Sequence, residues 1–380
     1  MVGRGFRGST VALLLGLVLS TTLAADSWTT VELKLYNSFT RLTEDQWQAG
    51  GGGTASLRFE QTGNRSVRSQ VELSAAVFQG GAAAPNIATV DRAFAKFRHR
   101  SFQGIIGKAP FSWGEGLIFN VADEIFGSGV DTNLSRSSFE DYGTWITGGT
   151  LYFGPFSFLE LLYSPGPLTG TDSPSPALIE ESRVGARLVG KPAGVKTELG
   201  YLFDGQGDGQ SDYLHRPYLS LQGNLGVDWH LSASLELPPP AQAADTIGDA
   251  FWEGLLFTGG LYSLLPVGYE DSLSFRLEGR FRPDGAWQES GAAGGYGVYS
   301  YGELSWDRSG GQSFFVRALF SPIDLSARLS PGFSWNLFEG FSLLGFLSVQ
   351  IGEENDEYPW DSGDPTAPGL ALMLGSSIIY

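Results

Sequence analysis

The chain has 380 residues, a formal charge of −17, no cysteine, and 53 Gly, 26 Phe, 14 Tyr and 10 Trp against 17% charged residues. That acidity argues against nucleic acid as a partner, and the missing thiols exclude disulfides, lipoprotein attachment and thiol chemistry. Length alone would suggest two or three domains; the pattern along the chain asks for one.

Residues 1–24 read as a secretory signal: Arg4 and Arg7, an apolar run over 11–19, then small residues up to a cut after Ala24. Residues 25–380 would be the mature chain, more acidic still without the two arginines. The apolar run is too short to span a bilayer, and no later stretch reaches ~18 uninterrupted apolar residues. If the protein is integral to a membrane, it must be a closed barrel, because unpaired sheet edges in lipid cost several kcal/mol per group.

From Trp28 onward, segments of roughly ten residues alternate with period two. Val31, Leu33, Leu35 and Phe39 share a face against Glu32, Lys34 and Ser38. Trp229, Leu231, Ala233 and Leu235 stand against Asp228, His230, Ser232 and Ser234, and Phe275, Leu277 and Phe281 against Arg276, Glu278 and Arg280. About 18 such segments fit, at 28–42, 54–62, 69–79, 88–99, 101–109, 143–153, 155–163, 182–189, 194–203, 213–223, 227–237, 250–262, 271–281, 296–306, 312–320, 323–335, 340–351 and 369–380; a register error of one hairpin would make it ~16. The fold class is therefore all-β, a transmembrane antiparallel up-and-down β-barrel.

With both termini periplasmic, every odd-to-even connection is an outer loop, and those are the long breaks: 43–53, 80–87, 110–142, 164–181, 204–212, 238–249, 282–295 and 352–368. Only Ser321-Pro322 departs from the rule. Aromatic residues sort to strand ends, with Trp229, Trp306, Trp335 and Tyr380 at the inner interface and Tyr201, Phe251, Phe281, Tyr296 and Phe320 at the outer one.

The third and longest outer loop, 110–142, is introduced by Gly107-Lys108, Trp113-Gly114, Gly116, Phe119-Asn120 and Asp123. This resembles the G-K/R-x-x-x-x-W-G-x-G-x-x-F-N-x-x-D pattern of alginate-export-type porins and related diffusion channels, with Ala109 where Gln is usual and Val121 where Pro is usual. Gly114 and Gly116 permit a sharp inward turn, and Trp113 and Phe119 offer packing surfaces. In general porins the third outer loop folds inward and sets the constriction. The resemblance implies that role for Trp113, Glu115, Asn120, Asp123 and Glu124.

Inward parity supplies an opposing basic ladder: Arg58, Arg92, Lys96, Arg98, Arg183, Arg187, Arg276, Arg280, Arg317 and Arg328. Glu60, Glu72, Glu198, Glu278 and Glu303 share that side. Charges of both signs across a narrow lumen would order water and admit polar solutes; the alternative is a plug of ion pairs that stiffens the interior.

Other chemistry is thin. His230 and Ser232 share a face in a spacing that resembles some barrel lipid deacylases, without a nameable oxyanion hole or orienting acid. Asp204-x-Gln206-x-Asp208-Gly209 opens like a calcium loop, but the twelfth position is His215. The acidic residues between Glu353 and Asp364 read as a solvated loop. No enzyme activity, cofactor or metal is expected.

The last strand, GLALMLGSSIIY, carries Leu370, Leu372, Leu374, Ile378 and Tyr380 on one face and Ala371, Gly375 and Ser377 on the other. It resembles the closing strand of bacterial outer-membrane barrels, which implies recognition by the insertion machinery. The expectation is a bacterial outer-membrane channel, surrounded by lipid and passing small polar solutes, with a homo-oligomer left open. A closed barrel that binds polysaccharide or protein through its outer loops is the alternative. A hydrophobic-substrate transporter would want a plugging segment before the first strand, for which Ala25–Ser27 leaves almost no room.

Overall fold

The structure, a computed structural model, describes residues 26–62, 66–79, 87–122, 143–165, 182–205, 213–237, 247–289, 294–362 and 368–380. The signal segment lies outside them. The 18 strands are β1 (Asp26–Thr43), β2 (Gln46–Thr62), β3 (Val67–Gln79), β4 (Ile87–His99), β5 (Phe102–Ala109), β6 (Thr144–Gly154), β7 (Ser157–Ser164), β8 (Arg183–Gly190) and β9 (Lys196–Asp204), then β10 (Leu214–Asn224), β11 (Asp228–Leu235), β12 (Leu255–Val267), β13 (Asp271–Phe281), β14 (Val298–Arg308), β15 (Gln312–Ser321), β16 (Ser326–Phe338), β17 (Phe341–Ile351) and β18 (Leu370–Ile379). A seven-residue helix, α1 (Ile247–Glu253), precedes β12.

Each strand pairs antiparallel with its neighbours in sequence, and β1 pairs with β18 from Glu32 opposite Ile379 to Arg41 opposite Leu370. Val31 N–H donates to Tyr380 O at 2.9 Å and Tyr380 N–H to Val31 O at 2.8 Å, so the seam is hydrogen-bonded through the last residue. The sheet has no edge. The count is 18, not 16.

Alternation decides which side chains meet which solvent. Leu35, Val77, Leu161, Leu188, Leu199, Leu231, Leu277 and Leu374 all face outward and are exposed. An apolar belt of this extent is not left in contact with water, and hydrocarbon covers it without cost. No helix among the described residues is long and apolar enough to cross a membrane, so any crossing is made by strands. Trp306, Trp335 and Tyr380 are exposed at the short-turn end, and Tyr201, Phe281 and Phe320 at the long-loop end.

Four expectations need correction. Residues 43–53 are not a loop: β1 and β2 meet at a turn of residues 44 and 45, and the run Gly50–Gly53 lies in β2. Those glycines are read as loop by composition, yet here they make room for neighbours. A Cβ on Gly52 would sit 2.9 Å from the Tyr36 hydroxyl, and one on Gly53 2.9 Å from Leu35. The strand expected at 250–262 runs instead from 255 to 267, with α1 occupying its expected start. Phe251 therefore lies on a helix. Tyr296 is buried at 2% exposure against Tyr299, on the lumen side and not in the outer belt.

Candidate functional site

Residues 110–122 leave β5 and cross the interior. Gly114 (φ 75°) and Gly116 (φ 116°) are both left-handed. A Cβ at Gly114 would come within 2.5 Å of Asn120 Oδ1, and one at Gly116 within 2.5 Å of Phe119 O, so the two glycines are what lets the segment fold back on itself. Asn120 then closes the turn from inside: its Nδ2 donates to Trp113 O at 2.9 Å and its Oδ1 accepts from Ala122 N–H at 3.1 Å.

The root of the segment is packed onto the wall. Trp113 is fully buried with Phe111, Val121 and Ala122 among Phe94, Ile146, Leu162, Leu202 and Tyr218, which project inward from β4, β6, β7, β9 and β10. The far end reaches β14 and β15, where Phe119 packs among Tyr299, Tyr301 and Leu319. In a cylinder of 18 strands, β5 and β14 are opposite each other. The segment spans the lumen.

Its polar anchors are carboxylates. Trp113 Nε1 donates to Glu160 at 2.9 Å, Gly114 N–H to Glu198 at 3.0 Å, and Leu117, Ile118 and Phe119 N–H to Glu278 at 2.8, 2.9 and 3.0 Å. A segment crossing a cavity has no backbone partner for its N–H groups, and leaving them unpaired in a sealed space is costly. Carboxylates accept several donors each and solve this directly. Arginines then balance the carboxylates: Arg187 contacts Glu160 at 2.7 Å and Glu198 at 3.1 Å, with the Trp113 ring 5.1 Å from its guanidinium. Arg276 lies 3.4 Å from Glu278.

The expected site residues distribute as follows. Trp113 and Asn120 are wall anchors, 0% and 4% exposed, and neither presents a polar group to open lumen. Glu115 forms an ion pair with Lys196, a residue not assigned to the ladder from sequence. Asp123 and Glu124 lie outside the described residues. Within the ladder, Arg183 pairs with Asp204 at 3.0 Å and Arg317 with Glu303 at 2.7 Å. Arg58 pairs with Glu72 at 3.1 Å, and Arg92 meets the same carboxylate at 3.7 Å. Arg328 lies over the Tyr358 ring, and Arg280, at the outer end of β13, has partners of its own. Lys96 and Arg98 rest on the rings of Phe94 and Tyr152, and no carboxylate reaches ion-pair distance of either among the described residues.

The wall is therefore uneven. On β18 and β1 to β4, inward positions such as Ser38, Thr54, Ser56, Arg58, Ser74 and Lys96 keep part of their surface exposed. On β9 to β12, Glu198, Leu202, Tyr218, Ser220, Ser232 and Thr258 are buried behind the crossing segment. The anchors Glu160, Glu198 and Glu278 were the part least visible in sequence; Glu198 and Glu278 have inward parity, but nothing marks them as acceptors for a loop. His230 and Ser232 do not meet: Ser232 shares a 2.7 Å hydrogen bond with Ser220. Asp204, placed in sequence at the head of a calcium-like loop, is instead an ion-pair partner of Arg183 and Arg216. Among the described residues no group of three or more His, Asp or Glu could hold a metal.

At the long-loop end, the β17–β18 connection folds over the same interior. Glu357 N–H donates to Asp324 at 2.7 Å, in the β15–β16 turn, and Tyr299 donates to Glu357 at 3.0 Å. Burial opposes ionisation of Asp324, but hydrogen bonds from Glu357 N–H and from Ser326 N–H and Oγ outweigh it and hold its carboxyl below the usual range.

The closed 18-stranded barrel has counterparts among solved structures. OccK2 (OpdF) of Pseudomonas aeruginosa superposes with a TM-score of 0.59 at 12% identity, covering 93% of this chain and 97% of that one. OpdQ of the same organism gives 0.58 at 9%, over 93% and 98%. OccAB1 of Acinetobacter baumannii gives 0.58 at 9%, over 94% and 97%. The fold is theirs. No protein-family model matches the chain, and no curated protein is significantly similar to it in sequence.

Proposed function

We propose that this protein is a bacterial outer-membrane channel for passive diffusion of small hydrophilic solutes, with both termini on the periplasmic side. The observation that carries the reading is the segment 110–122, which crosses the lumen and packs on inward residues from Phe94 of β4 round to Leu319 of β15, while inward positions of β18 and β1 to β4 such as Ser38, Thr54, Ser56 and Lys96 stay part-exposed. Solutes would pass between the segment and that free wall. Its lining is hydroxyl-rich and carries charges of both signs, a surface that replaces part of a polar solute's hydration.

Lys96 and Arg98 lack a neutralising carboxylate among the described residues, which favours anions within that path. OccK2, one of the structures of the same fold, has been crystallised with glucuronate, a small polar anion. The outward apolar belt and the hydrogen-bonded seam fit an unassisted place in lipid once inserted, and the apolar outer stripe ending in Tyr380 on β18 fits delivery by the insertion machinery.

Purified protein in planar bilayers tests this. Discrete conductance steps are expected, with a reversal potential displaced toward anions in a salt gradient and displaced less in Lys96→Gln/Arg98→Gln. Silent bilayers from protein shown to be inserted would leave the closed, surface-binding barrel as the better reading.

A further inference from the structure

Glu278 stands on β13, almost opposite the root of the crossing segment, and three consecutive N–H groups converge on it. Leu117 donates to Oε1, and Ile118 and Phe119 donate to Oε2. Successive backbone N–H groups turned to one point form a small concave anion site. Here its occupant belongs to the same chain. We propose that the tip of the crossing segment is a carboxylate-binding nest made by the N–H groups of Leu117, Ile118 and Phe119, that Glu278 fills it as an internal ligand, and that Glu278 is thereby the positioning residue of the constriction. This deepens the channel reading and rests on it for its functional meaning, though not for its chemistry.

Only a carboxylate suits the place. It offers acceptors and no donor, so it takes three N–H groups with charge-assisted bonds. A glutamine of equal size would turn its own NH2 against at least one of them. Glu278 is 4% exposed beneath the segment, and its countercharge comes from Arg276 on the same strand, 3.4 Å away. A second feature makes the nest reachable by a free acid. A cavity of about 230 Å³ lies on the short-turn side, lined by Glu115, Leu117, His230, Tyr262, Arg276 and Glu278. That is ample for a two-carbon carboxylate with some water.

The chain has no cysteine, so Ile118→Cys introduces a single thiol at the tip. The full-length protein in liposomes would be labelled with a small charged thiol reagent, and its conductance recorded in parallel. With Glu278 in place labelling should be slow. In Glu278→Ala it should accelerate about tenfold or more, as expected from losing charge-assisted hydrogen bonds, and the conductance step should grow. Acetate at about 0.1 M should return both toward the native values by mass action on the vacated nest, whereas chloride at equal ionic strength should not. Glu278→Gln should also accelerate labelling but ignore acetate, because the amide still fills the nest; it carries the test if the alanine variant fails to fold. Asp271→Ala, which removes a carboxylate at the short-turn end of the same strand whose partners are Arg308 and Ser309 N–H, should change neither reading. Native labelling rates in Glu278→Ala, or an alanine variant blind to acetate, would overturn the proposal. Silent bilayers together with acetate-sensitive labelling would instead sink the channel reading and leave the nest standing.

Discussion

Two stretches of one wall face the same lumen and are built differently. On β6 to β13 charged groups are sealed along with small ones: Glu160, Arg187, Glu198 and Glu278 beside Tyr218, Ser220 and Thr258. On β18 and β1 to β4 small and charged inward side chains alike keep part of their surface open: Ser38, Thr54, Ser56, Ala371, Arg58 and Lys96. The difference follows from what each stretch faces. The first faces a polypeptide, whose N–H groups need acceptors; the acceptors are carboxylates, and sealed carboxylates need arginines. The second faces water, which satisfies any polar group unaided. Inward parity alone thus covers two separate tasks, holding a segment and lining a path.

The contrast can be broken most directly through arginine. Arg187→Ala leaves Glu160 and Glu198 without their cation in a sealed space and is expected to cost about 3–5 kcal/mol. Arg58→Ala, on the free wall with its side chain 40% exposed, should cost under about 1 kcal/mol. Urea unfolding in lipid vesicles would measure both, and equal costs would erase the distinction between the two stretches. Next in size, Ser56→Trp places a bulky ring on the free wall and should lower single-channel conductance about twofold by narrowing the path. An unchanged step would mean that solute does not pass there.

The smallest effect concerns the rim. Because the folded Asp324 carboxyl titrates below its ordinary value of 3.8, its contribution is complete above that pH and is lost as pH falls through the lower folded value. Hydrogen exchange at the Glu357 and Ser326 amides should therefore stay slow down to the ordinary aspartate range and accelerate only in stronger acid. In Asp324→Asn it should be fast throughout. Uniform protection in both proteins would remove the aspartate from the account of how the β17–β18 connection is held.

Much of the barrel was legible in the order of residues. Period-two alternation placed all 18 strands because each residue in such a wall has only two environments, and the sequence must choose between them 18 times over. The misplacements have local causes. Gly50–Gly53 signal a loop by composition but serve as clearance for Tyr36 and Leu35 on the adjacent strand. Tyr296 has the spacing of a belt aromatic but belongs to a loop that turns inward. The turn at Gly114 and Gly116 was legible because left-handed φ favours glycine. The partners of that turn were not, since Glu160, Glu198 and Glu278 are 47 to 161 residues away from the groups they bind and look like any other inward acid.

By itself the sequence determined the cylinder: an outside for hydrocarbon, an inside for polar groups, and a last strand able to close on the first. Those are properties of neighbours two residues apart, repeated. Where the crossing segment lands, which carboxylates receive it, and hence which part of the lumen is left for water were decided only by the tertiary structure. The reason is geometric: closure sets β13 and β14 across the lumen from β5, and no local pattern encodes what stands across an enclosed space.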